Sequence, residues 1–285
     1  MGKLYERGLP KGVHDRARKV VEGERLREEN FGGIYTKEVI EKDLADLQKR
    51  ELQFEEDRSR QFALILEAII YTQIREARWL GEHAAPILTS RFDDVMNGVD
   101  TIVKIGKEAE GPSHLAFGVD VTFSTHLGDK FKNIKEKIKG GLLAGVRYFQ
   151  PQGMELRGKT LAVPLFVVGA DIDHVIDLAE LWMGDSAEDK RLLKRHQFQV
   201  ILLEQIRRQA EAFELYARDF KRPEVADAYL RVGKIIGEIL RAKIANQEFD
   251  RRTWKRDNVF AAIVSRARLV KGRPWNDDIS PRQAA

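Results

Sequence analysis

Leu115 to Ser124 reads LAFGVDVTFS, and its alternation is unbroken. Phe117, Val119, Val121 and Phe123 fall on one side of a strand, and Gly118, Asp120, Thr122 and Ser124 on the other. Upstream, Val99–Ile105 (VDTIVKI) predicts a second strand rich in β-branched residues. Between the two, Gly111-Pro112 within Lys107–Ser113 marks a turn. Downstream, Asp129–Lys139 predicts a helix with Leu127, Phe131, Ile134 and Ile138 as its inner stripe, ended by Gly140-Gly141. Strands are expected again at Ala144–Phe149 and Leu161–Val168. A strand–helix–strand succession of this length predicts a parallel, right-handed crossover.

Phe62–Tyr71 (FALILEAIIY) is apolar nearly all round and predicts a buried helix, continued through Trp79 and stopped by Pro86. Ahead of it, the charged stretch Thr36–Arg60 carries a narrow apolar stripe of Val39, Ile40, Leu44, Leu47, Leu52 and Phe54, as a solvated helix would. The first forty residues are polar and basic, without clear period, and suggest an arm with a hairpin near Asn30–Tyr35. After the sheet, Asp173 is placed to cap a helix through Trp182, and helical patterns continue at Glu188–Asp219 and Pro223–Asn246. The chain thus divides into an N-terminal arm and polar helix (1–56), an α/β core (57–170), a helical addition (171–248) and a basic C-terminal tail (249–285).

At 43% hydrophobic residues the chain is too apolar to be disordered. No run approaches the roughly 18 apolar residues of a membrane span, and the start has no apolar core of a secretory signal, so no membrane association is expected. Cysteine is absent. That excludes disulfides, thiolate zinc sites, iron–sulfur clusters and cysteine nucleophiles, and it fits a cytoplasmic location. The net charge is +4, but Phe249–Ala285 holds nine Lys/Arg against four Asp/Glu, so the body is near neutral and the tail is basic. A basic tail suits nucleic acid, and Trp254 within RRTWKR interleaves an aromatic with cations; a solvated chain end is the plainer alternative. Several chemistries drop out. Gly233–Ile239 (GKIIGEI) lacks the spacing of a phosphate loop, no serine sits in a Gly-x-Ser-x-Gly elbow, and none of the six histidines forms a His-x-x-x-His pair.

Three acids stand out by position. Glu67 interrupts the most apolar helix, Asp100 begins a short strand, and Asp120 lies mid-strand. A buried carboxylate is costly unless it is paired or holds a metal. Acids on adjacent strands, with a third from a helix, could hold a hard divalent cation such as Mg²⁺ or Mn²⁺ through oxygen. Plainer readings compete. Asp120 could face solvent, Asp100 could cap a turn after Asn97-Gly98, and Glu67 could pair with Arg75 or Arg78, with Glu76 as its rival. Asp93-Asp94 reads as a loop pair that could assist the site.

The order Glu67, then Gly98-Val99-Asp100, then Asp120-Val121-Thr122 resembles the PD-(D/E)XK nuclease superfamily over Phe62–Phe149. The core of that superfamily runs helix, strand, strand, strand, helix, strand, with acids at these places. The resemblance implies an α/β restriction-endonuclease-like α-β-β-β-α-β core with a mixed sheet, plus N- and C-terminal helical additions. It implies a metal-dependent nuclease acting on DNA or RNA, with Asp100, Asp120 and Glu67 holding Mg²⁺ or Mn²⁺. The lysine of the family would fall at Thr122, which cannot supply an ammonium. Lys135 is the first substitute, with Lys104, Lys130 and Lys132 as rivals. Nucleic acid is the expected partner, and a homodimer is compatible. Two other classes stay open: a nucleic-acid binder that does not cut, and a helical interaction protein whose sheet is only a scaffold.

Overall fold

A computed structural model describes residues 8–53, 58–106, 115–149, 161–246 and 257–271. Helix α1 (Val13–Glu24) leads through a 3₁₀ turn at Glu28–Phe31 to α2 (Lys37–Glu51) and α3 (Arg58–Ala77). Strand β1 (Ala84–Leu88), a π-helical turn (Asp93–Asn97), β2 (Thr101–Ile105) and β3 (Leu115–Thr122) follow. Next come α4 (Gly128–Lys139), β4 (Ala144–Val146), β5 (Leu161–Val163) and β6 (Leu165–Gly169). Five helices complete the described chain: α5 (Ile172–Met183), α6 (Ala187–Lys194), α7 (Phe198–Asp219), α8 (Pro223–Asn246) and α9 (Asn258–Lys271).

The main sheet has the order β1-β2-β3-β6. β1–β2 and β2–β3 are antiparallel, whereas β6 returns parallel to β3, so the sheet is mixed and the class is α/β. The short strands β4 and β5 form a separate antiparallel ribbon, split from β6 at Pro164. Every position from Phe117 to Thr122 is buried, so both faces of β3 are covered. A chain of aromatic contacts ties the strands to the helices: Phe117 on Phe166, Phe166 on Tyr229, Tyr229 on Phe213 and Phe213 on Phe131. Gly169 lies beside Thr122, where a Cβ would run into the Thr122 carbonyl oxygen.

β6 is an edge strand, and its free backbone groups are matched by side chains rather than left open. Gln209 accepts from Val167 N at 3.0 Å and donates to Val167 O at 2.7 Å. One turn earlier on α7, Gln205 does the same for Gly169, at 3.1 and 2.7 Å. The Tyr229 hydroxyl accepts from Leu165 N at 3.4 Å. Two glutamines four residues apart thus act as a substitute strand along the sheet edge.

Several sequence expectations change. The first forty residues are not an aperiodic arm: α1 buries Val13, Ala17 and Val21, and the hairpin near Asn30–Tyr35 is a 3₁₀ turn. The helical stretch before the sheet is two helices, and it ends before Pro86, at Ala77, with Arg78 in a left-handed conformation (φ 58°). Pro86 lies inside β1, an edge strand, where a missing N–H is tolerated. Asp171, not Asp173, caps α5 by accepting from His174 N. Glu188–Asp219 is broken into α6 and α7. Part of the basic tail is the packed helix α9, which buries Val259, Ile263 and Ala267; the turn at Gly111-Pro112, His114, Trp254 and Trp275 fall outside the described residues. No described helix is long and apolar enough to cross a membrane.

Replacing Gln209 with leucine should cost about 1–3 kcal/mol, the usual penalty for stranding buried backbone groups. Urea unfolding would show this as a lower midpoint at unchanged slope, and an unchanged midpoint would contradict the edge-capping role.

Candidate active site: four converging carboxylates

Asp100 lies one residue before β2, just outside the β2–β3 register that ends at Thr101↔Val119, and is held against β3 beside Asp120. Its N–H donates to Val119 O at 2.9 Å, and its carboxylate Oδ2 accepts from Val121 N at 2.6 Å. Two carboxylates side by side on an antiparallel pair repel. Both are buried, Asp100 8% and Asp120 7% exposed, which rules out the reading of Asp120 on a solvated strand face. Nor does Asp100 cap a turn, since its carboxylate is turned onto β3.

Two further acids join them. Glu67 projects from α3 and is also buried. It pairs with Arg25, just past α1, at 3.3 Å. Arg75 and Arg78, its expected partners, bind Glu24 and Glu82 instead, and Glu76 is exposed. Asp94, in the π-helical turn, receives Arg25 at 2.8 Å and Arg91 at 2.9 Å, and its charge acts on Asp100. Its neighbour Asp93 points elsewhere and is wholly structural. Asp93 accepts from Ser90 Oγ, from Asn97 Nδ2 and from the backbone N–H groups of Arg147 and Tyr148. Left-handed Gly98 (φ 68°) closes this turn.

The lysine comes from α4. The Lys130 ammonium pairs with Asp120 Oδ1. Lys135 does not reach the acids; its ammonium lies 5.4 Å from the centre of the Tyr216 ring. The cause is helical geometry. Five residues separate the two lysines, about 140° around the helix, with the buried stripe of Phe131, Ile134 and Ile138 between them. Thr122 is buried at the end of β3, and its hydroxyl accepts from Ser124 N at 3.2 Å, a local turn contact. Lys132 is exposed, and so is His126.

Four carboxylates therefore converge with three cations, Arg25, Arg91 and Lys130. Burial raises the Asp100 pKa, and the charges of Asp94, Asp120 and Glu67 drive it further, well above the usual carboxylate range. Burial also lifts Glu67, and Arg25 offsets only part of this, leaving it at about 8. Asp120 is raised by burial despite Lys130. Asp94 is partly buried, its side chain 19% exposed, and Arg25 and Arg91 outweigh the desolvation and hold its pKa low. Burial opposes the Lys130 ammonium, but Asp120 and Asp100 keep its pKa above the ordinary lysine value. The donor set is all oxygen, and when every acid is ionised the four carboxylates outnumber the three cations. That is the chemistry a hard divalent cation satisfies.

Comparison with protein-family models, with curated proteins and with solved structures finds no match for this chain.

The signals for Arg25, Arg91 and Asp94 were weak in the sequence. Arg25 is 42 residues from Glu67 and 69 from Asp94, with nothing local to mark it. A second cluster also escaped notice: Asp171, His174 and Asp257 bring three ligand atoms together. Two of them are three residues apart, but the third comes from a distant helix start.

The raised Glu67 pKa gives a signed expectation. Without metal, the folded protein holds a proton on Glu67 that the unfolded chain releases near 4.5, so stability should fall as pH rises from about 5 to about 8. Glu67→Gln should flatten that fall in thermal unfolding across this range. An unchanged slope would show that Glu67 is ionised throughout.

Proposed function

We propose that the chain is a metal-dependent nuclease that hydrolyses phosphodiester bonds in DNA or RNA, on a PD-(D/E)XK-like core. The observation that carries this is the meeting of Asp100 and Asp120 across β2 and β3, with Lys130 on Asp120 and Glu67 within electrostatic reach. The order α3-β1-β2-β3-α4-β6, with β6 parallel to β3, agrees with the order of elements in that core.

Asp100 and Asp120 would hold Mg²⁺ or Mn²⁺, with Glu67 or Asp94 as further ligands. Such an ion lowers the pKa of a bound water and draws charge from a phosphate. Arg25 fixes Glu67 and Asp94 relative to each other, so the acids do not spread. Asp120 holds Lys130 in its charged form beside the acids, where the ammonium can stabilise charge building on the phosphate oxygens. In hydrolysis a water oxygen bonds to phosphorus, and the sugar oxygen leaves as a hydroxyl after taking a proton.

The site keeps an ammonium at the acids although Thr122 replaces the expected lysine. This supports a cutting enzyme over a binder that does not cut.

The test is incubation of the full chain with single- and double-stranded DNA and RNA, with Mg²⁺ or Mn²⁺ and with chelator. Metal-dependent cleavage is expected, abolished in Asp120→Ala and lowered roughly 10²- to 10³-fold in kcat for Lys130→Ala. Lys135→Ala should cleave like the parent. Cleavage that survives Asp120→Ala, or none on any substrate, would overturn the proposal.

A further inference from the structure

Away from the carboxylate cluster, the starts of two helices meet. Asp171 caps α5, and Asp257 immediately precedes α9, with Oδ1 accepting from Phe260 N at 2.7 Å. The His174 ring sits between them. Its Nδ1 lies 3.2 Å from Asp171 Oδ1 and 2.9 Å from Asp257 Oδ2. The three ligand atoms lie within 4.8 Å of one another. Around a tetrahedral ion with bonds of about 2.0–2.1 Å, neighbouring ligands stand roughly 3.3 Å apart. Small side-chain movements would meet that spacing.

We propose that Asp171, His174 and Asp257 form a metal site for zinc or a similar transition ion, which fastens α9 to α5. Three features support a built site. Asp257 is fully buried and His174 is 9% exposed. Backbone N–H groups fix both carboxylates: Phe260 N donates to Asp257 Oδ1 and Asn258 N to Asp171 Oδ2. Asp171 N donates to Asp257 Oδ2 and His174 N to Asp171 Oδ1, each at 3.2 Å, so that each inner oxygen keeps one further lone pair for an ion. Both inner oxygens converge on one ring nitrogen, and a mixed nitrogen–oxygen set suits zinc better than magnesium.

The competitor for this position is a proton. Burial opposes the charged ring, but Asp171 and Asp257 outweigh it and lift His174 to about 9. The other titratable group near it is His196, which burial and then the His174 charge push down to about 4, so it stays neutral. A metal must displace the His174 proton. Affinity should therefore be weaker in acid, where the ring is protonated.

The experiment uses the full chain carrying Asp120→Ala, which disables the carboxylate cluster, stripped with chelator and titrated with Zn²⁺ and with Co²⁺. Retention of a single equivalent is expected, with a Co²⁺ visible spectrum and a higher Tm. Zn²⁺ affinity should rise from pH 6.5 to 8.5. Adding His174→Ala should abolish binding. Adding Asp257→Asn, which keeps an acceptor for Phe260 N, should weaken it at least tenfold in a chain that still folds. Two results would overturn the proposal. One is the absence of any retained ion in the Asp120→Ala chain. The other is unaltered binding in both added variants. With a proton alone in this position, stability would be fullest below about 6.5 and lost as pH rises through about 9, with no response to zinc.

Discussion

The antiparallel register of β2 and β3 sets Asp100 against Asp120 inside a sheet covered on both faces. Two like charges in that position repel, and water is not there to screen them. The surrounding structure answers this constraint. Arg25 reaches in from the end of α1, Arg91 from the loop after β1, and Lys130 from the first turn of α4. The π-helical turn then brings a fourth carboxylate, Asp94, to the same place while anchoring Asp93 to the chain after β4. Such turns recur at functional sites because the extra residue re-aims neighbouring side chains.

The helical parts serve this arrangement. α1 packs along α3, which fixes Arg25 over Glu67, so the N-terminal helix is part of the site's support. On the far side of the sheet, α7 closes the β6 edge with Gln205 and Gln209 and so limits how β6 can shift against β3. α9 packs on α7 and is tied to α5 through Asp257 and His174. A sheet of four strands, its β6 edge closed by α7, thereby holds a charged centre at the start of β2 and the end of β3.

Much of the core was legible because period and burial agree there. The alternation at Leu115–Ser124 and the stripe of Phe131, Ile134 and Ile138 gave β3 and α4 nearly to the residue. Glu67, Asp100 and Asp120 were legible because a carboxylate in an apolar context has to be explained. β1 was missed because Pro86 reads as a breaker, and only its edge position makes it tolerable. Lys135 was preferred to Lys130 because side-chain reach depends on how α4 is rotated against β3, which spacing alone does not reveal. Arg25 and Asp257 meet their partners only through tertiary packing, and α1 was hidden by a stripe of just three buried residues.

The central claim is that the four-carboxylate centre is a divalent-cation site. Crystals of the full chain grown with Mn²⁺ and measured at the manganese absorption edge test it most directly. The account predicts an anomalous peak between the Asp100 and Asp120 carboxylates, at about 2.0–2.6 Å from an oxygen of each, with Lys130 still beside Asp120. A centre without such a peak at millimolar Mn²⁺ would contradict it.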